Sequence, residues 1–180
     1  MAIVNTYTCL GTVNGNGSSP ILQFNSIPQT YTDLIIIGQL QPTSTSAVLT
    51  TIINGSTSPI YSTTWFGSSS NGTATSTSAG FTTSQTSLQY SGLGYSLGTA
   101  YPTIAEIWLN GYTNTTFYKS IGYRVGSDQL GTNVVNSWQW AGTGSFASTG
   151  AVTSITLSTS NASYYWTTSS IVSLYGVSNQ

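Results

Sequence analysis

Short runs of β-branched and aromatic residues, each cut off by Gly, Pro, Asn or Ser, recur along the whole chain, and a helical period is missing almost everywhere. The runs predict strands near Ile3–Val13, Pro20–Asn25, Tyr31–Gln41, Ala47–Ile53, Pro59–Phe66, Thr86–Tyr90, Thr103–Asn110, Thr116–Val125, Val134–Ala141, Ala151–Thr159 and Ser169–Val177. Turn signals separate them at Asn14-Gly15-Asn16-Gly17, Ile27-Pro28, Asn54-Gly55, Asn71-Gly72 and Asn110-Gly111. In the stretch AVTSITLST, Val152, Ser154 and Thr156 alternate with Thr153, Ile155 and Leu157, as a strand with one hydroxyl-covered face and one buried face requires. About ten short strands in one chain predict an all-β, antiparallel β-sandwich with a jelly-roll-like layout. The low-complexity stretch over about 67–86, GSSSNGTATSTSAGFTTSQT from Gly67, reads as a loop or frayed strand with Phe81 as an anchor.

Composition sharpens this picture. A chain of 180 residues, 38% hydrophobic and 12% aromatic, supports one sizeable core, so residues 1–180 are read as a single domain. Only 3% of the residues are charged, with Ser and Thr in their place, yet the mean hydropathy of +0.05 is not that of a membrane protein. No apolar run approaches the roughly 20 residues of a membrane-spanning helix, and MAIVNTYTCLGTVNG has neither the basic start nor the apolar stretch of a signal peptide. With two cations and a net charge of −1, binding to a phosphate backbone is excluded in practice. The same near-neutrality favours association with other copies of the chain. Cys9, flanked by Tyr7 and Leu10, reads as a small buried apolar residue.

Candidate chemistry is thin. Gly94-Tyr95-Ser96-Leu97-Gly98 matches the nucleophile-elbow string of serine hydrolases, but the chain has no His to take the serine proton, and no strand-to-helix pattern surrounds Ser96. Asp33, Glu106 and Asp128 are the only candidates for the paired carboxylates of glycoside hydrolysis, but Asp33 opens an apolar strand, where an acid accepts backbone N–H bonds at a turn, and Asp128 follows Gly126-Ser127 in what reads as a loop; one Cys without His gives no metal set. No catalytic residue, cofactor or metal is therefore expected. Five N-x-S/T strings, starting at Asn16, Asn54, Asn71, Asn114 and Asn161, follow from composition.

Three of the five charges gather in AEIWLNGYTNTTFYKSIGYRV, Ala105–Val125. A hairpin with its loop over Asn110–Thr115 would set Leu109 opposite Thr116 and Glu106 opposite Lys119, a cross-strand ion pair that pins the register. Arg124 would then face the other way, toward Asp128, Asp33 or an acid of another subunit. Trp138 and Trp140 share strand parity, and with Tyr164 and Tyr165 they are candidates for a subunit interface or for stacking on a glycan.

Three segments, ILQFNSIPQTYTDLIIIG (Ile21–Gly38), Ala105–Val125, and AVTSITLS with SIVSLYGV near the end, resemble a β-sandwich virion-surface family of tailed bacteriophages. The distinctive pieces are Ser26-Ile27-Pro28 followed by Tyr31-Thr32-Asp33-Leu34, and the run Asn114–Ser120. The family includes capsid cement (decoration) proteins and distal modules of tail fibres and tailspikes. The resemblance implies a homotrimer without enzymatic activity, made in the host cytoplasm and carried on the outer capsid surface against the major capsid protein. A sandwich pattern that starts at Ile3, with no docking segment before it, fits the cement branch. The tail-fibre branch, with a host surface glycan as partner, is the alternative.

Overall fold

The structure, a computed structural model, describes residues 7–44, 47–70, 74–90, 102–130 and 135–178, without the side chains of 127–130 and 135–137. Its regular elements are β1 (Tyr7–Asn14), β2 (Ile21–Phe24), β3 (Asp33–Leu40), β4 (Leu49–Ile53), β5 (Tyr61–Ser70), β6 (Thr75–Gln85), β7 (Leu88–Gln89), β8 (Thr103–Asn110), β9 (Lys119–Leu130), β10 (Val135–Phe146), β11 (Ile155–Thr159) and β12 (Ile171–Val177). In β2, Leu22 and Phe24 point inward while Ile21 and Gln23 point out. In β8, Thr103, Ala105, Ile107 and Leu109 are buried, and Ile104, Glu106 and Trp108 take the opposite face. This alternation commits each strand to one buried face and so fixes its register.

The strands form two antiparallel sheets. One has eight strands in the order β1-β12-β3-β8-β9-β10-β5-β6, the other four in the order β2-β11-β4-β7. They pack face to face: Leu34, Ile36, Ile107, Leu109 and Ile121 of the large sheet surround one small interior gap together with Ile53, Leu88 and Ile155 of the small one. The chain is an all-β sandwich with a continuous core, in which each fully buried Leu or Ile contributes about 2 kcal/mol of transfer free energy. Toward β10 and β5 the inner layer turns aromatic. Tyr90 meets Tyr123 edge-on at 4.8 Å, Tyr61 meets Phe146 at 5.0 Å, and Trp65 meets Trp140 edge-on at 5.4 Å. Among the described residues, no layer lies over the other face of the large sheet.

Asparagines shape the turns. Asn54 and Gly55 both take left-handed backbone angles, φ 52° and 66°, the pair that a tight I′ turn demands, and Ser56 N–H donates to the Ile53 carbonyl at 3.0 Å. The side-chain oxygens of Asn16, Asn114 and Asn161 each accept a hydrogen bond from the backbone N–H two residues on. Asn54 instead accepts from Thr153 and Ser154, which ties its turn to the start of β11. Four of the N-x-S/T strings are thus turn-forming or turn-anchoring amides; the fifth, at Asn71, lies outside the described residues, as does Ser96.

Three expectations need correction. The stretch from Gly67 is the end of β5 and most of β6, paired residue for residue from Thr64↔Phe81 to Ser70↔Thr75, and Phe81 is 76% exposed and anchors nothing. Hydroxyl side chains and glycines gave that stretch the composition of a loop, although the paired backbone satisfies its own polar groups as any ladder does. Strands β9 and β10 run past the expected ends at Val125 and Ala141, because Gly126, Gly142 and Gly144 sit inside ladders where neighbouring atoms crowd the space of a side chain. Cys9 is exposed, since β1 is an edge strand and Cys9 pairs with Tyr175 on the uncovered face.

Candidate functional site

The β8–β9 hairpin disposes of its charges differently from the expected pairing. Asn110 pairs with Ser120, so the loop spans Gly111 to Tyr118 and Glu106 falls opposite Arg124. Arg124 Nη2 donates to Glu106 Oε2 at 2.7 Å, and its guanidinium lies over the Trp108 ring, 5.1 Å from the centroid. Lys119 shares the parity of Ile121, Tyr123 and Val125 and is carried inward with them, to 1% exposure. That parity was readable in the sequence: three apolar residues at alternate positions outweigh one charge in choosing the buried face.

Inside, the Lys119 ammonium donates to the carbonyl oxygens of Asn114, Phe117 and Thr149. Burial lowers its pKa, because the charged form loses hydration. The lysine therefore acts as a clamp that closes the loop on itself and on the segment after β10. Asp33 Oδ1 accepts from Gly111 N–H at 2.7 Å and fixes the loop's entry, while Tyr112 is fully buried with its hydroxyl donating to the Pro28 carbonyl. Held in this way, the loop presents Phe117 and Tyr118 to solvent at 69% and 65% exposure. Replacing Lys119 by Met keeps the apolar stem and removes the three donated bonds. The expected cost is about 2 kcal/mol, or roughly 4–8 °C in melting temperature, with faster amide exchange confined to Gly111–Tyr118. A thermal melt and an exchange experiment on Lys119→Met check both.

The other sequence candidates separate. Asp128 lies in β9 opposite Ser137, with its side chain outside the described residues. Trp138 and Trp140 lie on one face of β10, but it is the inner face, at 7% and 2% exposure, so they are core and not an exposed stacking platform. They pair across to Ser69 and Gly67, whose small side chains leave room for indoles. Tyr164 packs against the core, and Tyr165 is half-buried with its backbone bonded to Thr43. Among the described residues, no three Cys, Asp or Glu side chains gather in one place.

What the structure brings together, and sequence reasoning missed, is the uncovered face of the large sheet. One row across it runs Thr12, Ser173, Ile37, Glu106, Arg124, Ala141, Phe66, Ala79; the next contains Gln39, Ile104, Gly126, Gln139, Ser68, Thr77. Over β8, β9, β10, β5 and β6 these rows line an open trough of about 1200 Å³. The signal was present in β8, where Ile104, Glu106 and Trp108 share the face opposite to Ala105, Ile107 and Leu109. An apolar residue and an indole on the outward parity announce a surface with a use. No family model, curated protein or solved structure matches the chain.

Proposed function

We propose that the chain is a noncatalytic structural protein of a bacteriophage virion, a cement protein that trimerises on the outer capsid surface and stabilises the shell. The observation that carries this reading is the contrast between its charges and its surface. Arg124 and Glu106 neutralise each other, Lys119 is buried on carbonyls, and Asp33 caps a backbone N–H. Exposed instead are Tyr7, Ile37, Phe66, Ile104, Phe117 and Tyr118. Such a surface gains contact free energy from apolar area, at about 25 cal/mol per Å², and little from charge.

Association of copies has a second support in the sheet edges. Edge strand β6, TSTSAGFTTSQ, carries neither the charges nor the proline that natural edges use to repel other strands. The resemblance to phage cement proteins supplies the location, and the polar, uncharged composition suits a protein packed against its own copies. The alternative of a distal tail-fibre module places the same fold at the tail tip.

Imaging of purified particles at near-atomic resolution tests the proposal. Trimers of this chain spread over the icosahedral shell are expected, and a few copies confined to the tail tip would overturn it. Binding of the purified protein to stripped shells should vary by less than about twofold across the salt range that screens surface charge. A steep loss with salt would contradict the area mechanism.

A further inference from the structure

We infer that the chain modifies itself at Asn110: Asp33 acts as the base in loss of the Asn110 side-chain amide, which leaves aspartate or isoaspartate at the mouth of the clamped loop. Asn-Gly is the pair in which this reaction runs most readily, because glycine has no side chain to hinder attack by its nitrogen on the preceding carboxamide. The chain has five such pairs, Asn14-Gly15, Asn16-Gly17, Asn54-Gly55, Asn71-Gly72 and Asn110-Gly111, and all but Asn71-Gly72 lie within the described residues. The fold treats those four differently.

In three of them a reacting group is tied down. Gly15 N–H donates to the Ser170 carbonyl at 2.9 Å, and the Thr167 carbonyl fills the space where a side chain would stand. Gly17 N–H donates to the carbonyl of the fully buried Trp166 at 2.8 Å, and the Asn16 side-chain oxygen accepts from Ser18 and Ser19. The Asn54 oxygen accepts from Thr153 and Ser154, and its amide donates to the Ala151 carbonyl. A carbonyl holds an amide proton without taking it, whereas a carboxylate does both. At Gly111 the acceptor is a carboxylate: Asp33 Oδ1 lies 2.7 Å from the nitrogen, inside the reach that general-base transfer requires. Leu34 pairs with Leu109, so Asp33 lies across the ladder from Asn110 itself. The Asn110 carboxamide is exposed, and no residue among those described holds it. Room for ring closure is present too, since a Cβ added at Gly111 would have Asn114 Cβ, 3.9 Å away, as its nearest neighbour.

The step balances within the chain and one water molecule. Asp33 takes the Gly111 amide proton as that nitrogen bonds to Asn110 Cγ and closes a five-membered imide. The carboxamide C–N bond breaks, and the departing nitrogen leaves as ammonia with the proton that Asp33 returns. Water then opens the ring at either carbonyl, giving aspartate or isoaspartate. The fold contributes orientation, holding base and nucleophile together as an unfolded chain does not. The product sets a second carboxylate near that of Asp33, where like charges oppose each other, and the isoaspartate form lengthens the backbone by one atom. Both loosen the entry of the loop. The chain is its own substrate in a single turnover, a chemistry that goes beyond the cement reading and does not rest on it.

The test incubates the folded full chain at mildly alkaline pH and maps it by mass spectrometry, which reads amide loss at each asparagine and separates isoaspartate from aspartate. Asn110 is expected to convert ahead of Asn14, Asn16 and Asn54, and that order should vanish in guanidinium chloride, where nothing holds the base in place. Asp33→Asn keeps an oxygen for the Gly111 N–H but removes the base, and should slow conversion at Asn110 roughly a hundredfold, the low end of what a positioned base supplies. Amide exchange over Gly111–Tyr118 should quicken in step with conversion. Faster conversion in Asp33→Asn would overturn the inference by showing that the carboxylate is a lock, as would no conversion at Asn110 or earlier conversion at any of the other three. The order in the folded chain and its loss on unfolding need no variant, so the test stands even where Asp33→Asn loosens the fold.

Discussion

Stability will fall steeply once the pH passes about 10, the ordinary range for tyrosine ionisation. Tyr61, Tyr90, Tyr112 and Tyr123 are buried to 2% exposure or less. Burial raises the pKa of all four hydroxyls, most strongly for Tyr90 and Tyr123. In the unfolded chain each loses its proton near pH 10, while in the fold each keeps it. The folded state then holds more protons, so stabilisation that is complete below that pH is lost as the pH rises, by at most about 1.4 kcal/mol per pH unit for each tyrosine and about 5.6 kcal/mol per pH unit for the four. Lys119 works the other way. Its lowered pKa leaves the unfolded chain with more protons between that value and about 10.5, so stability rises with pH there, by one group's contribution at most. The chain contains no His to add a titration near neutrality. Urea unfolding at a series of pH values, with tyrosinate absorbance followed alongside circular dichroism, checks the account. The buried tyrosines should ionise together with the loss of β-structure, and a smooth titration of every tyrosine with the fold intact would sink it.

How far the sequence led can be judged strand by strand. β11 was legible because its inward Ile155 and Leu157 are apolar and its outward Thr156 and Ser158 polar, while β2 and β8 were legible as runs of β-branched and aromatic residues bounded by turn signals. β6 and the outer lengths of β5 and β10 were not, because glycines and hydroxyls fill them, for reasons that lie on the neighbouring strand. Gly67 stands opposite Trp140 and Gly80 opposite Trp65, pairs far apart in sequence for which local composition supplies no hint. The same limit governed the site. The gathering of charge in Ala105–Val125 was visible, but a loop closed too early shifted the register by an odd number of residues and exchanged the roles of Lys119 and Arg124. Of the trough, only the outward Ile104 and Trp108 of β8 gave a local sign, since the rest of its lining comes from four other strands.

The pairing of indoles with glycines yields the sharpest test of that register. Trp65 is 6% exposed and its ring lies over Gly80, where a Cβ would come within 2.5 Å of the indole carbon Cζ2. Trp65→Ala should cost about 3–5 kcal/mol, the usual range for a large buried aromatic, or roughly 6–20 °C in melting temperature. Gly80→Ala alone should cost about 1–3 kcal/mol, because the new methyl group must displace the ring or the strand. In the Trp65→Ala background the obstacle is gone, and alanine is the better strand residue, having less backbone freedom to lose than glycine. Gly80→Ala should then be neutral or slightly stabilising, leaving a coupling of about 1 kcal/mol or more between the two sites. Chemical unfolding of the two single variants and the double variant measures it. Additive effects would mean that the ring does not cover the glycine, and with it the register of β5 against β6, and so one wall of the trough, would have to be redrawn.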